Sequence, residues 1–162
     1  MTSTDKIDRE AIWKRIEEIR KFHSNPERLK ALLEAWDNDF GPEYNDIARE
    51  ILAENVRKNS GAWSKQKGLT TAEDIVKDMW EGWGEGEFTI ERKEDGIQIY
   101  CTKCPIADTY LSIGRKEQGL IFQCSEDPHI VAGGYPKIGF RRTRTLMNGD
   151  DCCDNFYSYS QQ

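Results

Sequence analysis

Apolar positions in the first eighty residues recur at helical spacing. Ile12, Ile16 and Ile19 fall on one face of residues 8–22, with Trp13 and Phe22 beside them. That period predicts an amphipathic helix, with Asp8 or Thr4 as its N-cap. Ser24-Asn25-Pro26 stops and restarts the chain, because proline favours the first helical position. Leu29, Leu32, Leu33 and Trp36 then make a single stripe over 26–39, and Gly41-Pro42 breaks it. A third helix is predicted over 43–59 from Tyr44, Ile47, Ala48, Ile51, Leu52 and Val56, while 60–69 reads as looser because of Gly61 and Gly68. Thr70 or Thr71 caps a fourth helix, with Glu73 and Asp74 in its first turn. It turns Ile75, Val76, Met79 and Trp80 inward and ends at Gly82, Gly84 and Gly86.

The period then changes. Phe88 and Ile90 alternate with polar residues, Asp95-Gly96 is a two-residue hairpin signal, and Ile97, Ile99 and Cys101 alternate on the return strand. Residues 106–114 are ambiguous, with a short helix as one outcome, and 119–123 read as a strand or a buried turn. Asp127-Pro128 starts a short helix that stops at Gly133-Gly134. Ile138 and Phe140 read as a strand, Asn148-Gly149 as a second hairpin turn, and 152–159 as the last strand. Helices first and hairpins later predict an α+β fold. Its helical N-terminal half (1–83) packs on an antiparallel, hairpin-rich C-terminal sheet (84–162). The whole of 1–162 forms one domain, with the glycines of 82–86 as a hinge.

Composition narrows the picture. A chain of 162 residues that is 37% hydrophobic and 32% charged suggests a single domain with a thin core. A net charge of -6 speaks against a general nucleic-acid binder, which carries a basic face. The N-terminus lacks the apolar stretch of a signal peptide, and no apolar run reaches membrane length. The expectation is a cytoplasmic protein with a small-molecule substrate and no nucleic-acid or membrane partner. A homodimer is the default assembly.

In a reducing compartment, five cysteines point to thiol chemistry or metal ligation more than to disulfides. Cys101, Cys104, Cys124, Cys152 and Cys153 all lie in the second half. Cys101-Thr102-Lys103-Cys104 is a C-x-x-C, whose two sulfurs can grip one soft metal if the strand bends before Pro105. Zn²⁺ is the expected ion, with an iron–sulfur cluster, a redox pair and ordinary buried cysteines as the other readings. Neighbours on a strand face opposite ways, so only one of Cys152 and Cys153 should face a shared site. Asp127 and His129, close to Cys124, are candidates for a further ligand or a general base. Asp150, Asp151 and Asp154 surround the cysteine pair. Arg142 and Arg144, from the cluster with Arg141, are candidates to hold an anionic substrate, since a guanidinium grips a carboxylate with two parallel bonds. His23 reads as a charge partner of a helix end.

Cys104-Pro105, Cys124-Ser125-Glu126-Asp127 and the run Thr145-Leu146-Met147-Asn148-Gly149-Asp150-Asp151-Cys152-Cys153-Asp154 together resemble the L-2-amino-thiazoline-4-carboxylic acid hydrolase family. Matched position by position, the resemblance falls on Cys104, Cys124, Asp127, Gly149, Asp150, Cys153 and Asp154. Asn155 stands between Asp154 and Phe156, where that family runs directly to Phe. The resemblance implies hydrolysis of a small cyclic C–N/C–S compound bearing a carboxylate. Two mechanisms fit. In one, Cys104, Cys124 and Cys153 bind the metal, Asp127, His129 or Cys101 completes the shell, and a hydroxide at an open position attacks the ring carbon between nitrogen and sulfur; four protein ligands would make the site structural instead. In the other, a cysteine such as Cys153 is the nucleophile, with Asp127 or Asp154 as acid or base. A metal-containing small-molecule sensor that catalyses nothing is the rival reading.

Overall fold

The computed structural model describes residues 7–160. Helix α1 spans Arg9–Lys21 and buries Ile12, Ile16 and Ile19. Asp8 caps it, its carboxylate accepting the Ala11 N–H at 3.0 Å; Thr4, the alternative cap, lies outside the described residues. Helix α2, Pro26–Asp39, starts where the proline signal put it, with Asn25 as its cap. Trp36 is 1% exposed and meets Phe122 edge-on at 5.0 Å. Each such fully buried large side chain contributes roughly 1.5–3 kcal/mol.

Helix α3 runs from Asn45 to Lys67, so the looser stretch expected at 60–69 is mostly helix. Gly61 does not break it. A Cβ there would already touch the Gly133 carbonyl at 3.0 Å, so the glycine serves a close helix crossing. The helix stops at Gly68, whose φ of 68° is the left-handed cap conformation. Helix α4, Ala72–Ile75, opens with a full Thr71/Asp74 capping box and widens into a π turn over Val76–Glu81. His23 has a buried Nδ1 without a partner, and burial pushes its pKa down. It is therefore a neutral side chain at pH 7, which corrects its reading as a charged helix partner.

The second half holds four antiparallel strands in the order β1-β2-β4-β3. These are β1 (Glu87–Arg92), β2 (Gly96–Lys103), β3 (Gly139–Arg141) and β4 (Phe156–Ser158). A hairpin joins β1 to β2, and a Cβ on Gly96 would meet the Tyr157 carbonyl at 2.4 Å, so close strand approach also demands that glycine. Three helices fill the space between β2 and β3: α5 (Pro105–Ser112), α6 (Lys116–Phe122) and α7 (Asp127–Gly134). Residues 119–122 are thus helical, with Gln123 as the cap, and not a strand or an isolated turn, because Ile121 and Phe122 pack into the helical core. Gly133 and Gly134 belong to α7 itself. Asn148-Gly149 closes a single helical turn over Leu146–Asn148 and makes no hairpin. The last strand is shorter than expected, with Cys153 paired separately to Cys101.

Two apolar clusters result. One joins α1, α2 and α3 to α5 and α6; the other joins α4, its π turn and α7 to the sheet. Cys104, Ile130 and Leu146 pack against both. Cys104 therefore sits at the junction of the two, with Cys124 packed on the first cluster and Cys101 and Cys153 in the second.

Candidate active site

The site grows from the end of β2. Cys101 is 2% exposed, and its thiol donates to the Lys103 carbonyl at 3.3 Å. Pro105 then occupies the first turn of α5 and ends the strand, which makes Cys104 the N-cap. The Cys104 sulfur accepts the Ala107 N–H at 3.5 Å. Cys124 opens the helical turn before α7. Cys153 stands opposite Cys101, with backbone bonds of 2.9 Å in both directions.

Cys101, Cys104, Cys124 and Cys153 line one cavity of about 190 Å³. Thr145 links two of them. Its hydroxyl donates to the Cys124 sulfur at 3.8 Å and accepts from the Cys153 thiol at 3.6 Å. The Cys153 sulfur also accepts the Leu146 N–H at 3.3 Å. Cys152 lies outside this lining, as strand alternation requires of a direct neighbour.

Burial governs the thiols. It pushes Cys101 up to about 12, helped by Cys153 and Cys104, and Cys124 up to about 12, helped by Asp127. It also raises Cys104, but there the N–H groups of Ala107 and Ile106 oppose it. Thiols held that high are unreactive, since the thiolate is the nucleophile.

The polar wall is built on the start of α7. The Asp127 carboxylate accepts from Arg142 Nη1 at 2.5 Å and from Asn155 Nδ2 at 3.3 Å. Arg142 Nη2 donates to the Cys124 carbonyl at 2.8 Å. Burial raises the Asp127 carboxyl, while Arg142 and Asn155 pull it back. Glu126 beside it pairs with Arg20. Asn155 Nδ2 also reaches the Tyr157 hydroxyl at 3.4 Å, and that oxygen accepts Trp80 Nε1 at 2.9 Å. Met79, Trp80 and Trp83 supply the apolar side of the cavity.

Other candidates lie elsewhere. Asp154 is outside the lining and binds the backbone N–H groups of Thr143 and Arg144, each at 2.8 Å. Burial pushes its carboxyl up, but the bonds from Thr143 and Arg144 outweigh that and hold it below the usual range. Arg144 is also outside, paired with Asp151 at 2.8 Å. His129 accepts Arg57 Nε at 3.1 Å against α3, away from the cavity. Of the two arginines, only Arg142 faces the thiols. The cysteines ring the cavity without converging: among the described residues, no three His, Cys, Asp or Glu side chains form a metal-holding group.

Sequence reasoning missed Asn155 and the Trp80–Tyr157 pair as site residues. Neither has a motif; the only signal was the out-of-pattern Asn155 between Asp154 and Phe156.

A family model described as L-2-amino-thiazoline-4-carboxylic acid hydrolase matches residues 21–157, most of the chain. No curated protein and no solved structure matches.

Proposed function

The chain belongs to the L-2-amino-thiazoline-4-carboxylic acid hydrolase family, and from that membership and the chemistry of the cavity we propose that it hydrolyses a small 2-amino-thiazoline-4-carboxylate-like compound by thiol catalysis. One observation carries the reading: four thiols and a carboxylate–guanidinium pair share the wall of one small cavity. A cavity of about 190 Å³ suits a single small ring. Pockets for drug-sized ligands are larger, about 300 Å³ and upward.

Cys153 is the nucleophile of this reading. Its sulfur is oriented by the Leu146 N–H, and its proton has an acceptor in Thr145. The sulfur adds to the ring carbon between nitrogen and sulfur, and the thiol proton ends on the ring nitrogen. The tetrahedral adduct collapses with cleavage of the ring C–N bond: the exocyclic amino group gives up a proton, Asp127 passes it to the departing ring nitrogen, and an enzyme-bound thioimidate remains. Water adds to that carbon, the enzyme sulfur departs with a proton, and one water has been consumed per ring opened. Asp127 is the acid–base group, and free N–H bonds of Arg142 hold the substrate carboxylate.

Cys104 is a second candidate nucleophile, because the N-terminus of α5 stabilises a thiolate. Zn²⁺ or a cluster would need the thiols to draw in from the cavity wall, and no step here depends on one.

The test is turnover of 2-amino-thiazoline-4-carboxylate, read by mass spectrometry as carbamoyl-cysteine. Loss of turnover in Cys153→Ser with a trapped adduct on Cys153 in the unmodified protein supports the reading. An adduct on Cys104 moves the nucleophile there. Tight binding without turnover leaves a ligand-binding module, and no turnover with no adduct sinks the hydrolase.

A further inference from the structure

We propose that Asn155 is the specificity-determining residue of the cavity: its side-chain carbonyl accepts an N–H from the amino-bearing carbon of the ligand. The inference rests on the substrate class proposed above and extends it to a contact.

Asn155 is 1% exposed and lines the cavity. Its amide has two ends with different fates. Nδ2 faces the Asp127 carboxylate at 3.3 Å and the Tyr157 oxygen at 3.4 Å. A carboxylate paired with Arg142 only accepts, so the NH₂ end must face it. That choice fixes the amide orientation, which the hydrogen-bond network alone decides. The carbonyl end then points away from Asp127.

Oδ1 has no partner. An unsatisfied buried acceptor costs about 1–3 kcal/mol, and folded proteins keep few of them. The backbone carbonyl of Asn155, by contrast, has two donors: the Ile99 N–H at 2.8 Å and Gln98 Nε2 at 3.2 Å. The protein holds the side chain by its nitrogen at the cavity wall and leaves the oxygen buried without a partner. Such an atom selects for a donor. A ligand carbon bearing an amino group supplies one; a carbon bearing a methyl group does not. With Arg142 taking the carboxylate, an amino contact at Asn155 gives the ring two fixed points. The scissile carbon between them is then held in one orientation.

The experiment compares binding of 2-amino-thiazoline-4-carboxylate and its 2-methyl analogue by calorimetry, on the wild-type protein and on Asn155→Leu, alongside turnover of the amino compound. Wild type is expected to bind the amino compound at least about tenfold more tightly, since a site built for an N–H penalises its absence. In Asn155→Leu the preference disappears: the amino compound weakens about tenfold, and the methyl compound stays within about twofold. Equal wild-type affinities, an equal loss of both ligands in the variant, or no binding of either overturns the inference. If Asn155→Leu does not fold, the wild-type comparison decides alone. Preference without turnover overturns the hydrolase reading and keeps the Asn155 contact. Turnover without preference does the reverse.

Discussion

The Asp127 carboxylate and the Arg142 guanidinium meet at 2.5 Å on the cavity wall, and Arg142 also donates to the Cys124 carbonyl at 2.8 Å. One arginine thus ties the start of α7 to the turn that carries a thiol. Lysine keeps the charge but not the planar fork. Arg142→Lys is expected to raise the KM for a carboxylate substrate about tenfold, with a smaller change in kcat. Asp127→Asn keeps the shape and removes the acid–base group, so kcat should fall about a hundredfold or more. Steady-state kinetics separate the two. A pure KM effect in Asp127→Asn would remove it from the chemistry.

The thiols should also sort by reactivity. Cys101 and Cys124 are pushed up to about 12, and Cys152 is raised by burial against the pull of Arg144. Cys152 is also only 6% exposed and outside the cavity. Iodoacetamide on the native protein near pH 8 is expected to label Cys153 or Cys104 first, and the other three only after unfolding. Peptide mass mapping reads the order. Cys152→Ala should keep activity within about twofold, as a change away from the reacting groups does. Fast native labelling at Cys152 would place the reactive thiol outside the cavity.

How far the sequence reached depends on the physics of each segment. The stripe Leu29, Leu32, Leu33 and Trp36 was legible because one helix face carries it, and α2 forms as expected. The last turns of α3 were hidden because Gly61 looks like a breaker until the crossing with α7 is known. Residues 119–123 offered too few apolar positions to choose between periods, and burial of Phe122 against Trp36 decides the matter. The bend after Cys101 was legible from Pro105. The cavity was not, because Trp80, Tyr157 and Asn155 meet only through long-range packing, 77 residues separating Trp80 from Tyr157.

The histidines give the stability a pH slope. His23 is depressed by burial first, with Arg20 adding to that and Glu85 opposing; His129 is depressed by burial and Arg57. Above the ordinary histidine value of 6.5, both are neutral folded or unfolded, and they contribute no slope. As pH falls below it, the unfolded chain binds protons first. Stability should therefore drop with falling pH through that window, until the folded-state values are passed. Urea unfolding at a series of pH values measures the slope. His23→Gln should flatten it. An unchanged slope in that variant would mean that His23 titrates normally in the folded protein.

The closest backbone approach tested by a glycine lies between α3 and α7. A Cβ on Gly133 would stand 2.2 Å from the Arg57 carbonyl oxygen and 2.5 Å from its Cα. Both neighbours are backbone atoms of a long helix, so no side chain can swing away. Ser60 also bonds the Ile130 carbonyl at 2.7 Å, which holds the two helices at that distance. Gly133→Ala must therefore push α7 outward, and overpacking of this kind costs about 1–3 kcal/mol. For a chain of this size that lowers Tm by roughly 2–4 °C per kcal/mol. Because α7 begins at Asp127, the same shift should loosen the Asp127–Arg142 contact and reduce activity below the melting range. Calorimetry and kinetics on Gly133→Ala check both effects. Native Tm and native kcat/KM together would show that the helices can separate without disturbing the site.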